Sequence, residues 1–360
     1  MKYVDEYRNN EQVQALLRAI RKVTTRPWHI MEICGGQTHA IARYGIEKLL
    51  PPQITLIHGP GCPVCVTPET TVEKAMQIAG RSDVVFTTFG DMLRVPGISG
   101  DLLSLKSRGA DIRMLYSPLD ALPIAKALPG KEVVFLSVGF ETTVPVYASA
   151  ILSAQRQKIT NFSLLTSLYT VPPAIEAIMA DDECRIDGLL AAGHVCTVEG
   201  YGRYEELARR LGVSISVTGF TPVELLLGIY HDIRLLENGK YDVYNAYPAA
   251  VSRHGNRKAK EAVEEVFQPC DQTWRGIGRL PASGLQIKKR YEHFDALKRF
   301  PVGEVFPDRK SECRAGDVLK GKTTPAHCPA FGRRCTPEHP LGALMVSSEG
   351  ACAAYYRYRR

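Results

Sequence analysis

Apolar side chains recur at Val13, Leu16, Leu17 and Ile20, the i, i+3, i+4, i+7 spacing of one helical stripe, and predict an amphipathic helix over residues 10–24. From residue 54 the pattern changes to short, continuously apolar runs: ITLIH at 54–58, DVVFTT at 83–88, DIRMLY at 111–116 and EVVFLSV at 132–138. A second set follows, with SLLTSLY at 163–169, DGLLAAG at 187–193 and SISVTG at 214–219. Runs this short and apolar, alternating with helical stretches, read as strands buried on both faces, so the expected fold is α/β on parallel sheets. Two small sheets are expected, divided near residue 130. The runs end in Gly, Pro or polar clusters such as HGPGCPVC, VGFETT and GHVCTV. Ligands of open parallel sheets bind beyond those carboxyl ends, although most such endings need be no more than turns.

After about residue 238 the periodicity weakens to one amphipathic helix near 255–267 and a Gly/Pro-rich tail with Cys313, Cys328, Cys335 and Cys352. A segment with so little core of its own commonly needs a metal to order it. The expected divisions are therefore an N-terminal helix and CGGQTH segment at 1–50, packing on the C-terminal domain, α/β domains at 51–130 and 131–238, and a metal-pinned domain at 239–360.

Composition narrows the function class. No segment approaches the ~18 apolar residues of a membrane span. The opening MKYVDEYRNNEQ is polar where a signal peptide needs an apolar core, so a cytoplasmic location is expected. The net charge of +7 is spread along the chain, with one dense run at Arg357, Arg359 and Arg360 that reads as a solvated tail rather than a nucleic-acid surface. Ten cysteines are too many for disulfide staples in a reducing compartment, and clustered cytosolic thiols usually hold metal or do redox work.

Three constellations carry that chemistry. In Cys34-Gly-Gly-Gln-Thr-His39, Gly35 and Gly36 permit close backbone approach to a ligand, and Thr38 is placed to cap a helix from about residue 39. A Cys34 thiolate would gain from that helix N-terminus; the plainer alternative is a buried cysteine in a tight turn. His39 can relay protons or bind metal, though a lone histidine more often only hydrogen-bonds. In Gly59-Pro-Gly-Cys62-Pro-Val-Cys65, Thr67 reads as an N-cap, Pro68 as N1 and Glu69 as a first-turn acid, so the helix dipole should lower the pKa of both thiols. With no second C-x-x-C in the chain, a redox dithiol or a site shared with Cys34 is favoured over a zinc knuckle. The third is the C-terminal quartet, with fourteen, six and sixteen residues between successive cysteines, a spacing open to tetrahedral zinc or a [4Fe–4S] cluster. Glu141, in GFETT at 139–143, can move protons or merely start a helix capped by Thr142 or Thr143. Cys196, in GHVC, is equally open between packing and facing a cleft, whereas Cys184 and Cys270 read as packing.

Together CGGQTH, GPGCPVC, GFETT and a four-cysteine region ending in SSEGACAAYY resemble the HypD family of hydrogenase maturation factors, in that order from near residue 30 to the C-terminus. The resemblance implies two related α/β domains and a third holding a [4Fe–4S] cluster through Cys313, Cys328, Cys335 and Cys352. It implies that Cys34, in its Gly35-Gly36 turn, holds the Fe(CN)₂CO precursor of [NiFe]-hydrogenase jointly with a small HypC-type partner. It further implies that Cys62 and Cys65 are a redox pair and that a HypE-type partner presents cyanide as a protein thiocyanate. The expected role is an assembly scaffold with redox activity rather than a conventional turnover enzyme. The rival reading is a zinc-dependent transferase or hydrolase with the quartet as structural zinc.

Overall fold

The structure, a computed structural model, describes residues 10–305 and 312–358. Nine parallel-sheet strands follow one another along the described chain: β1 (Trp28–Glu32), β2 (Ile54–His58), β3 (Val84–Thr88), β4 (Ile112–Met114), β5 (Glu132–Gly139), β6 (Phe162–Leu168), β7 (Gly188–Ala192), β8 (Ser214–Thr218) and β9 (Val243–Asn245). They form a five-stranded sheet of order β2-β1-β7-β8-β9 and a four-stranded sheet of order β4-β3-β5-β6. β3, β7 and β8 are buried at every position, as expected of strands covered on both faces.

The expected α/β class with parallel sheets is what the chain forms, but the division near residue 130 is corrected. That point falls inside the four-stranded sheet, where Val85 on β3 pairs with Val133 on β5. The five-stranded sheet is discontinuous: β1 and β2 precede the inserted sheet, and β7 to β9 follow it. Uniformly apolar strands carry no mark of which sheet they will join, so order along the chain grouped β2 with β3 and β4, and β5 and β6 with β7 and β8.

Numbered within each sheet, the strands run 2-1-3-4-5 and 2-1-3-4. In such doubly wound sheets the strand order reverses between the first and third strands, and ligands bind outside the carboxyl ends at that point. In the five-stranded sheet the switch lies between β1 and β7, and in the four-stranded sheet between β3 and β5.

The first helix, Asn10–Val23, has its apolar stripe against the helix Pro222–Glu237, with Leu17, Ile20, Ile229 and Ile233 in one core that also takes Ile30 and Leu190. The expected helix near 255–267 is present as Arg257–Val266. An antiparallel hairpin follows it, β10 (Phe267–Trp274) and β11 (Gly278–Ile287). Pro269, Pro281 and Gly284 read as loop punctuation, which hid this hairpin in the sequence. Phe267, Ile287, Tyr291 and Phe294 are buried in the core of the four-stranded sheet, so this stretch belongs there rather than to a separate C-terminal unit. The last described helix, Ala351–Tyr358, packs on the helix Gly35–Tyr44.

Candidate functional site

Cys34 stands at the switch point of the five-stranded sheet. β1 ends at Glu32, Ile33 N–H reaches across to Leu190 O on β7 at 3.1 Å, and Cys34 then takes the N-cap position of the helix Gly35–Tyr44. The helix thus starts four residues earlier than the sequence suggested. Thr38 lies within its first turns and does not cap it; its hydroxyl donates to the Glu32 carboxylate. Gly35 and Gly36 do permit close approach, but the protein itself makes it: a Cβ on Gly35 would overlap Glu349, and one on Gly36 would press the Phe220 ring.

Glu32 organises this turn. It is completely buried, accepts the Cys34 N–H at 2.9 Å and faces His58 Nδ1 at 2.7 Å. His58 Nε2 lies 3.1 Å from Glu47. Burial pushes the Glu32 carboxyl up, opposed by the bonds from His58, Thr38 and Cys34. The sequence did carry a signal for Glu32, a charged residue inside the apolar run HIMEI, since a buried charge needs partners.

The Cys34 sulfur is buried, 3.6 Å from His194 Nδ1 and 3.9 Å from Nε2. His194 follows β7, the other strand at the switch, and stacks on Phe220 with centroids 5.3 Å apart and planes at 19°. Burial lowers the His194 pKa, favouring the neutral ring beside the thiol. In the sequence His194 carries no signal beyond its place in GHVC, two residues before Cys196. The helix N-terminus does not make Cys34 a thiolate here: burial pushes the thiol well up, reinforced by the charges of Glu32 and Glu349. The Gln37 and Gly36 amides pull the other way and lose. His39 does not face Cys34. Its Nδ1 lies 3.0 Å from Ser348 O and its Nε2 3.2 Å from the Tyr358 hydroxyl, so it ties the helix to the C-terminal segment.

The Cys62–Cys65 segment packs directly on this turn. Gly35 N–H donates to Gly61 O at 2.9 Å, and a Cβ on Gly61 would overlap the backbone of Ile33 and Cys34. Cys62 and Cys65 are joined in a disulfide across a short helix, Pro63–Val66, so neither titrates and the expected lowering of their pKa values does not apply. Thr67 closes that helix instead of opening the next; its hydroxyl donates to Pro63 O at 2.9 Å, and Pro68 takes the N-cap position of Glu69–Ala79.

Glu141 lies at the switch point of the four-stranded sheet, just past β5. It is 5% exposed; Oε1 accepts the Val171 N–H at 2.8 Å and Oε2 has no hydrogen-bond partner. Burial pushes its pKa up to about 7. Neither Thr142 nor Thr143 caps the following helix through its side chain. Glu141 lines a cavity of about 240 Å³ with Arg203, Lys260 and Glu199, and makes no hydrogen bond to Cys34, His39 or the disulfide among the described residues. Phe140 and Tyr169 from this sheet nevertheless share one apolar cluster with Cys34, Cys62, Cys65 and Cys196, so the carboxyl ends of both sheets converge. Burial holds Cys196 protonated, with Glu141 and Glu199 acting in the same direction.

The C-terminal thiols are neighbours. Burial and the charges of Cys313, Cys335 and Cys328 together push Cys352 well up. Backbone N–H groups point at sulfur, from Ala315 to Cys313 and from Leu341 and Gly342 to Cys335. By donor type alone, four thiols with amide donors are what a [4Fe–4S] cluster or a zinc ion takes. Among the described residues, no three His, Cys, Asp or Glu side chains are grouped closely enough to hold a metal ion. Cys65 Sγ lies 4.0 Å from Ala343 O, beside the Gly342 that packs on Cys313.

Known proteins resemble this chain along nearly its whole length. The HypD family model, for the Hydrogenase formation hypA family, matches residues 11–359. The chain belongs to the HypD family. It is 45% identical to the hydrogenase maturation factor HypD of Rhodobacter capsulatus, over 99% of this chain and 98% of that protein. It is 44% identical to HypD2 of Bradyrhizobium diazoefficiens, over 100% of this chain and 97% of that protein. Identity to HypD of Escherichia coli is 41%, over 100% of this chain and 99% of that protein. The role is therefore that of a hydrogenase maturation factor, and HypD membership does not favour the zinc-dependent transferase or hydrolase. No helix among the described residues is long and apolar enough to cross a membrane.

Proposed function

We propose that this protein is the cytoplasmic scaffold on which the Fe(CN)₂CO centre of [NiFe]-hydrogenase is assembled, with Cys34 and a HypC-type partner holding the iron and a HypE-type partner supplying cyanide. One observation carries the reading: the Cys34 sulfur sits at the sheet's switch point against His194, packed backbone to backbone on a disulfide-capable pair. A soft sulfur suits an iron that carries strong-field ligands. The neutral imidazole beside it can accept the proton that Cys34 must lose on binding.

Cyanide release from a thiocyanate takes two electrons. In reduced form, Cys62 and Cys65 supply them: R–S–C≡N plus two thiols gives R–SH, HCN and the Cys62–Cys65 disulfide. The S–C bond breaks, the S–S bond forms, and the two thiol protons go to the leaving sulfur and to cyanide, which binds iron as its anion. Glu141, titrating near pH 7, is the buried carboxyl suited to move a proton at Oε2. Cys313, Cys328, Cys335 and Cys352 would hold the [4Fe–4S] cluster, which when bound supplies electrons one at a time. The approach of Cys65 to Ala343, next to the Cys313 contact, supports a route by which the disulfide is reduced again.

Infrared spectroscopy of the anaerobically isolated complex with the small partner tests the anchor. Cys34→Ala should abolish the cyanide and carbonyl bands, whereas Cys62→Ser should leave the cluster's visible spectrum intact while hydrogenase maturation stops. Bands retained in Cys34→Ala would move the iron anchor elsewhere, and normal maturation in Cys62→Ser would remove the redox role.

A further inference from the structure

The tip of the β10–β11 hairpin carries a cation that the proposed reaction does not use. Arg275 is 7% exposed. Its backbone N–H donates to Val66 O, its Nε to Thr67 O and its Nη2 to Pro96 O, each at 2.7 Å. The carboxylate nearest its guanidinium among the described residues is Glu69, 3.3 Å from Nη1, and that side chain is 32% exposed. On one side of Arg275, Trp274 is buried edge-on against Tyr169, with centroids 4.9 Å apart. On the other, Gly276 has φ +76 and lies so close to Gly316 that a Cβ would meet its backbone. The tip is thus wedged between the segment that carries Cys62 and Cys65 and the segment that follows Cys313.

A guanidinium taken out of water loses several kcal/mol of solvation unless an opposite charge replaces it. Here neutral carbonyls satisfy its N–H groups, and one partly exposed carboxylate offsets its charge incompletely. Positive potential therefore remains at the end of the Pro63–Val66 helix. Reduction of a disulfide creates sulfurs that carry negative charge once ionised, and a nearby cation stabilises that reduced form.

We propose that Arg275 is a positioning residue that sets the reduction potential of the Cys62–Cys65 pair, an assignment that rests on the redox reading of that pair. It holds the pair's segment by the Val66 and Thr67 carbonyls, and its charge favours the reduced pair through the thiolate. The step is Cys62–S–S–Cys65 plus two electrons and one proton giving one thiol and one thiolate; in the test, dithiothreitol is the reductant, closes to its cyclic disulfide and releases its second proton to solvent.

The full chain is equilibrated anaerobically in reduced and oxidised dithiothreitol mixtures, and the Cys62–Cys65 peptide is quantified by alkylation and mass spectrometry. Arg275→Met should lower the equilibrium constant for reduction about tenfold, a shift of about 30 mV to more negative potential. Glu69→Gln, which leaves the guanidinium in place and removes its counter-charge, should shift the potential the opposite way. Arg275→Lys should recover part of the loss. Unshifted potentials, or shifts of the same sign in Arg275→Met and Glu69→Gln, overturn the proposal. Should Arg275→Met fail to fold, the sign of the Glu69→Gln shift decides alone. A wild-type pair that never forms a disulfide at any poise is a different result: it removes the redox reading and this inference with it.

Discussion

A carboxyl group keeps its proton when burial takes water away faster than partners replace it, and Glu141 is the plainest case in this chain. Its pKa of about 7 lies above the ordinary 4.5, so the folded state binds the proton more tightly than the unfolded chain does. The contribution is therefore most favourable below pH 4.5, declines as pH rises towards 7, and is fully unfavourable above it. Glu141→Gln removes that dependence. Relative to wild type it should gain up to about 3 kcal/mol between about pH 4 and pH 8, read from urea unfolding at each pH. A difference that does not change with pH would mean that the carboxyl is solvated. The same balance disfavours a thiolate at Cys34, whose thiol burial pushes well up. The helix N-terminus was legible in Gly-Gly-Gln-Thr, but the extent of burial around the sulfur depends on Phe220, Glu349 and His194, which arrive from distant parts of the chain.

At the scale of elements, strand positions and the amphipathic helices Asn10–Val23 and Arg257–Val266 were legible, but the helix starts at the cysteines were placed too late or missed. The apolar runs placed β2 to β8 to within a residue or two, because a buried strand has no other way to be written. The helix at Cys34 begins at a cysteine, a residue type that capping preferences do not pick out, so its start was placed on Thr38 downstream; the short helix Pro63–Val66 carries no such signal, and the cap expected at Thr67 for the next helix falls on Pro68. What joins these two turns is Gly61. Gly61→Ala would drive a methyl into the Ile33–Cys34 backbone and should cost about 1–3 kcal/mol. A thermal unfolding midpoint equal to wild type would show that the two turns can part without loss.

At the scale of the whole molecule, the two sheets contribute unequally to one apolar cluster. The five-stranded sheet brings Cys34 and the neighbouring Cys62–Cys65 turn, while the four-stranded sheet brings Phe140 and Tyr169, and Glu141 lines a separate cavity. The segment 312–358 closes the C-terminal side with short helices and no strand among its described residues. On the proposed cluster reading, iron chelation should therefore loosen this segment before either sheet. Limited trypsin digestion after chelation should cut first within 312–358, at sites such as Lys320 and Lys322, while the strands stay protected. First cleavage inside β3–β6 would contradict it.

The interrupted five-stranded sheet has a temporal consequence. β1 and β2 emerge early in synthesis, but β7, the strand that lies beside β1, is made only after the entire four-stranded sheet. The strands of that inserted sheet are contiguous and can pair while the first two strands wait for their partner, a long-range closure of the kind that slows folding, but its core is completed only by Phe267, Ile287, Tyr291 and Phe294. During that interval Cys34 lacks His194, and its turn is open to solvent. On the proposed reading, a nascent chain has no finished pocket to load until β7 has paired with β1, so iron delivery would follow that closure.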